Sequence, residues 1–414
     1  MLTIRRSIIR SSALSLPSAG RYNLLRFVYD DMMLDAVKPT RDIFHSLIIG
    51  STKGGVLDDA FYFRDEMKAM GLVPDVVLYN SLISLCGKCK LANQAIQVLE
   101  ELKISGAKPN GQTYICLLNA CAAAGKLDRV YSIVRDMTAA GAGLNKFCYA
   151  GLIAAHVNSP NRSEDTASKI VELVQQSKGW SSIDTSTRRP NDVFSAICDE
   201  ELYNLPTAMY VYKRGAVINR ELTVYHAAFH ASAELNNSKV MEELLEMLEK
   251  DGKSPDVFIV VQTMRCYLNS GELDQGLKVF NDYVESRKPT VVELYVDLIK
   301  GCMLGYTTRG MKIALDTLIS MNNKIFIPTK MASDLLLIAS KTKIDGYATA
   351  NYIWDIAPNK MNLTFAAVDV YLKGLQEFEI PEDDVRLVEV AKIHKILKSR
   401  QQIGNFRPQN RLQR

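Results

Sequence analysis

No stretch of the 414-residue chain approaches the roughly 20 consecutive apolar residues that a helix needs to cross a bilayer, so no membrane partner is expected. Histidine is scarce: none of His45, His156, His226, His230 and His394 is followed two positions later by glutamate. That removes the His-x-Glu signature of a zinc deaminase. Of the cysteines, at 86, 89, 116, 121, 148, 198, 266 and 302, only Cys86 and Cys89 have Cys-x-x-Cys spacing, and no second pair completes a zinc site. The others lie mostly in apolar helical patterns, where a free thiol behaves as a small hydrophobe, which favours a reducing compartment without a disulfide framework. P-loop, GxGxxG and GxSxG motifs are missing as well. The expectation is a protein with no metal, no cofactor and no catalytic residue, and therefore not an enzyme.

Acid is missing from both ends. Residues 1–29 carry Arg5, Arg6, Arg10, Arg21 and Arg26 with no acid before Asp30, and residues 390–414 carry Lys392, Lys395, Lys398, Arg400, Arg407, Arg411 and Arg414 with none at all. Without those twelve cations the middle holds 38 basic against 46 acidic residues. A surface that tracks a phosphate backbone needs nearby cations, so the termini are better candidates for that contact than the middle. Met1 to Leu16, made of arginine, serine and aliphatics, reads as an organelle-targeting presequence, mitochondrial ahead of chloroplast.

What the chain does have is a period. At 414 residues and 47% hydrophobic content, either several domains or an extended repeat array is expected. Pro39, Pro74 and Pro109 recur every 35 residues, with Leu144 where a fourth proline would fall. Phe44, Tyr79, Tyr114 and Tyr149 keep the same register, as do Ala36, Gly71, Gly106 and Gly141, and Met32, Met67, Leu102 and Met137. Such a period decides the fold before any local reading. Within residues 76–110, Leu78, Tyr79, Leu82, Ile83 and Leu85 mark one helix, and Ala95, Ile96, Val98, Leu99 and Leu102 a second, both at helical spacing. Gly106 can take the left-handed cap that ends the second helix, Pro109 cannot continue it, and Asn110 can cap the next. Each pair exposes an apolar face that only a neighbouring pair can cover, so the units must stack.

The run Val76-Val77-Leu78-Tyr79-Asn80-Ser81-Leu82-Ile83, followed by Gly106-Ala107-Lys108-Pro109-Asn110, resembles a pentatricopeptide repeat of the P type, strongly over 41–149 and more weakly over 222–329. The fold class implied is all-α, a right-handed superhelical solenoid of antiparallel helix pairs. Expected boundaries are a presequence-like segment at 1–29, an N-terminal array at 30–175, an exposed insertion at 176–192, a degenerate C-terminal array at 193–379 opening with a weak helix pair over 193–216, and a capping helix with a basic tail at 380–414. The resemblance also implies that each repeat reads one RNA base through the residue after the first-helix aromatic and the last residue of the repeat. These pairs are His45 with Asp75, Asn80 with Asn110, Ile115 with Asn145, His226 with Asp256, Val261 with Thr290, and Tyr295 with Thr329. Only Asn80 with Asn110 fits the usual combinations, favouring a pyrimidine, and isoleucine or valine has nothing to offer a base edge.

The expected function is therefore a scaffold binding RNA and protein in the mitochondrial ribosome, with the small subunit favoured, in support of translation. The partners would be rRNA or organellar mRNA, and ribosomal or other organellar proteins. The cations of the C-terminal tail, from Lys392 to Arg414, are the candidate rRNA contacts. A sequence-specific binder of single-stranded organellar RNA is the alternative, and a protein-protein adaptor the third reading.

Overall fold

The computed structural model describes residues 11–17, 20–139, 141, 143–162, 165–179, 197–211, 218–321, 326–345, 347–378, 381 and 383–405, with backbone alone for 401–405. No strand occurs among them. The presequence reading falls largely on residues 1–10, and the tail cations Arg407, Arg411 and Arg414 on 406–414, both outside the described residues. Two compact units form, Met1–Ile259 and Val260–Arg414.

The first unit holds α1 (Leu25–Leu34), α2 (Arg41–Gly54), α3 (Leu57–Ala69), α4 (Val76–Lys88), α5 (Ala92–Ile104), α6 (Gly111–Ala123), α7 (Leu127–Ala139), α8 (Lys146–Asn158), α9 (Thr166–Gln176), the single turn α10 (Asp199–Leu202), α11 (Thr223–Glu234) and α12 (Ser238–Lys250). The helix α13 (Val257–Asn269) contains the division between the units. The first helices of successive pairs, α2, α4, α6, α8 and α11, pack against one another in that order. Thus α8 meets α11 directly, and the array runs on past the intervening chain. The helix pair expected over 193–216 is not formed by the described residues there, which make only α10 and a 3-10 turn at Ala208–Tyr210. Pro206 stands in the middle of this stretch and interrupts any helical run through it.

Local chemistry sets the repeat. Gly71, Gly106 and Gly141 end second helices at φ of 74°, 81° and 76°, where a side chain would be strained. Ala36 holds the same place in its unit at φ 51°. The 35-residue proline step then delivers a capping residue: the Asp75 carboxylate accepts from the Leu78 amide at 2.9 Å, and Asn110 accepts from the Thr113 amide at 2.9 Å in a capping box. The column of aromatics becomes core, with Phe44, Tyr79 and Tyr149 buried and Tyr114 half-buried.

In the second unit, α14 (Leu273–Glu285), α15 (Val292–Leu304), α16 (Thr308–Met321), α17 (Thr329–Ala339), α18 (Ala348–Ile356), α19 (Phe365–Glu377) and α20 (Val385–Asn405) follow. Here α15, α17 and α19 pack in series, α16 packs on α18, and α20 lies on α19.

Leu82 is fully buried in α4, whereas Val77 on the same helix is 52% exposed. Leu82→Asp should cost several kcal/mol, as an unpaired charge forced into an apolar interface does, and Val77→Asp well under 1 kcal/mol. Thermal melts of the two variants check this, and equal midpoints would mean that the stacking face is misassigned. Relief of the left-handed alanine gives the opposite sign: Ala36→Gly should stabilise by on the order of 1 kcal/mol, seen as a raised midpoint in the same assay.

Candidate nucleic-acid interface

The base-reading positions expected from the sequence lie on α2, α4, α6, α11, α13 and α15 and at the start of the first helix of the following pair. Asp75, Asn110, Asn145 and Asp256 are all N-caps, and each accepts from a backbone amide through its Oδ1. Asn80 is 1% exposed, with its amide donating to Gln112 Oε1 at 3.3 Å and its own Oδ1 buried without a partner. His226 and Asp256 are brought together: His226 Nε2 sits 2.8 Å from Asp256 Oδ2, which also accepts from the Asn219 amide at 3.0 Å. Burial pushes the Asp256 carboxyl up, but the bonds from His226, Ile259 and Asn219 outweigh it and hold the group below the usual carboxylate range. Ile115 and Val261 are buried, His45 is half-buried, and Tyr295 rests edge-on against Phe280.

Residues 197–211, between α9 and α11, lie against the first-helix layer. Asn204 Nδ2 donates to the Ser84 carbonyl at 3.0 Å, and Lys88 Nζ meets Glu201 Oε1 at 3.2 Å and the Thr52 carbonyl at 3.1 Å. The Tyr203 ring packs on Phe147 at 4.6 Å, with Gln112 and Cys116 beside it, and is 1% exposed. Glu200 pairs with Arg220 at 2.7 Å, and Tyr210 meets the edge of Phe258 at 5.2 Å. This cover explains why residues 78–87 of α4 are buried in succession, a pattern for a helix surrounded on every side.

On α20, Leu387, Val390, Ile393 and Leu397 face the core. Lys392, Lys395 and Lys398 are exposed, form no ion pair among the described residues, and fan over about a third of the helix surface by their three-residue spacing. Arg400 is also exposed and donates to the Met361 carbonyl at 3.0 Å. Upstream, Glu389 is tied to Trp354 and Lys360, and His394 to Asp369 at 2.9 Å. The acids near this surface are therefore engaged away from the lysines.

Comparison with known proteins gives the PPR repeat family at residues 74–123, the pentatricopeptide repeat domain at 28–89 and the PPR repeat at 112–141. A mitochondrial pentatricopeptide repeat-containing protein of Arabidopsis thaliana is 55% identical over 389 residues, covering 94% of this chain and 87% of that protein. The chain belongs to the pentatricopeptide repeat family. Like that relative, this pentatricopeptide repeat protein is mitochondrial. Among solved structures it is similar to the pentatricopeptide repeat protein PPR10 from maize (18% identity, TM-score 0.33, 96% of this chain and 65% of that one). It is also similar to PPR10 in complex with an 18-nt psaJ RNA element (17% identity, TM-score 0.40, 95% and 56%). The chain thus spans under two thirds of the length of PPR10.

Ser84, Lys88, Gln112 and Phe147, which meet residues 201–204, belong to none of the 35-residue columns of the sequence. Phe147, an aromatic in the first turn of α8 and outside the 35-residue aromatic column, was the one available signal. In the Cys86-x-x-Cys89 motif, burial, with Cys89 adding to it, pushes the Cys86 thiol up to about 12, and burial raises Cys89 too, which disfavours the thiolate at neutral pH.

A carboxylate whose folded pKa is depressed contributes stability above its unfolded value, and that stability is lost as pH falls through the folded value. Asp256→Asn should therefore lower the melting midpoint at pH 7, and the difference from the unaltered protein should shrink as pH drops below about 4. Midpoints across that range test it, and a pH-independent difference would count against the assigned role of Asp256.

Proposed function

We infer that the protein is a non-catalytic pentatricopeptide scaffold that binds RNA and protein within the mitochondrial ribosome, with the small subunit as the favoured site, and so supports mitochondrial translation. The observation that carries this reading is that several polar side chains at the base-reading positions of the first unit are engaged within the protein or buried. Asn110 and Asn145 cap helices, His226 and Asp256 hold each other, and Asn80 is buried. A side chain can discriminate bases only with hydrogen-bonding groups left free at its tip, so readout of one sequence through the first unit is disfavoured. Exposed, unpaired Lys392, Lys395 and Lys398, continued by the acid-free stretch to Arg414, support phosphate contact at the C-terminal end instead.

Deletion of residues 399–414 should weaken association with the mitochondrial small subunit and flatten its salt dependence by roughly 0.7 in log-log slope for each lost phosphate contact. Changing Asn80 and Asn110 together to alanine should leave both nearly unchanged. Sedimentation with subunits and titration with single-stranded RNA at two salt concentrations measure this. A tail deletion without effect would defeat the scaffold reading, whereas relaxed preference at one base in the double variant would favour the sequence reader.

A further inference from the structure

Three observations converge on residues 197–211. They form no repeat of their own, they are anchored at both ends to the first unit through Glu200–Arg220 and Tyr210–Phe258, and their middle fills the inner face between α4 and α8. We propose that this segment is an intramolecular occupant that competes with single-stranded RNA for the inner groove of the first unit and holds it closed.

The contacts are of the kinds a nucleotide strand would make. Single-stranded RNA binds through aromatic stacking of its bases and cationic contact with its phosphates. Tyr203 packs its ring on Phe147 at 4.6 Å with a tilt of 38°, and Glu201 supplies an anionic oxygen to Lys88 Nζ at 3.2 Å. Asn204 bonds a main-chain carbonyl, as a base-edge amine can. Glu200 and Glu201 each engage a cation, Arg220 and Lys88, as phosphates of a bound strand would.

The fit is incomplete in a way that favours exchange. Asn80 Oδ1 and Asn204 Oδ1 are both buried without a hydrogen-bond partner. A buried acceptor left unsatisfied is a cost of the closed state, and a ligand bearing N–H donors removes it at Asn80. Asn80 belongs to the one residue pair of the array whose combination favours a pyrimidine, so uridine-rich RNA is the competitor to test.

The experiment uses the full-length chain and a short oligouridylate, with affinity from fluorescence anisotropy and location from ultraviolet crosslinks mapped to peptides. Crosslinks in the unaltered protein are expected outside α4, α6 and α8. Replacement of residues 197–211 by a glycine-serine linker of equal length should move crosslinks onto α6 and α8 and raise affinity about tenfold, the worth of one stacked base. A synthetic peptide of residues 197–211 should reverse the gain. Should the replacement fail to fold, Tyr203→Ala and Glu201→Gln serve as milder variants, each expected to produce the same crosslinks with a smaller rise. The proposal is overturned if the folded variants gain neither groove crosslinks nor affinity, or if the unaltered protein already crosslinks through α6 and α8 to the same extent. Peptide capture that leaves RNA binding unchanged also overturns it, since the face would then be a protein seat. Because crosslinks on the C-terminal residues are mapped separately, failure here is distinguishable from failure of the tail contact.

Discussion

Each helix pair has an apolar face that only its neighbour can cover, and the rest of the architecture depends on that. The pair α4 and α5 is too small to bury its own core, so Leu78, Tyr79, Leu82 and Leu85 are fully removed from water only once neighbouring elements, α2 and α6 among them, pack on the pair. Stacking in turn demands that every pair return the chain to the same starting place. The left-handed glycines at 71, 106 and 141 and the capping residues four positions later, at 75, 110 and 145, perform that return at 35-residue intervals. Where glycine gives way to Ala36, the geometry persists under strain because the packing on both sides requires it.

The same geometry constrains what the inner face can do. The last residue of a repeat is both the cap of the next helix and a groove residue, and one side-chain oxygen serves only one of these roles well. Asn110 in its capping box commits Oδ1 to Thr113, and Asp256 commits both oxygens to backbone amides and His226. Capping stabilises a helix by about 1 kcal/mol at each site, so the array retains these residues whether or not they contact RNA. Their presence alone is weak evidence for base reading.

Charge is divided accordingly. Carboxylates of the segment 199–201 lie along the inner face, while the unpaired lysines of α20 stand on its outer surface next to acids that are already engaged. On the proposed reading, it is these lysines that attract phosphate.

The helix pairs, their period, their caps and the aromatic core column were legible in the sequence, because each rests on residues close in the chain: a glycine, a proline five residues after the second helix, a cap and an apolar stripe at helical spacing. The cationic helix face was legible for the same reason. What became of the chain between α9 and α11 was not. The bond between Asn204 and Ser84 spans 120 residues, and that between Lys88 and Glu201 spans 113, with no local pattern at either end to announce the other. Whether α8 meets α11, whether Asn80 faces water and whether Glu201 finds Lys88 were decided by tertiary packing alone, because burial and charge pairing depend on which distant residues share a volume, and a linear period carries no record of that.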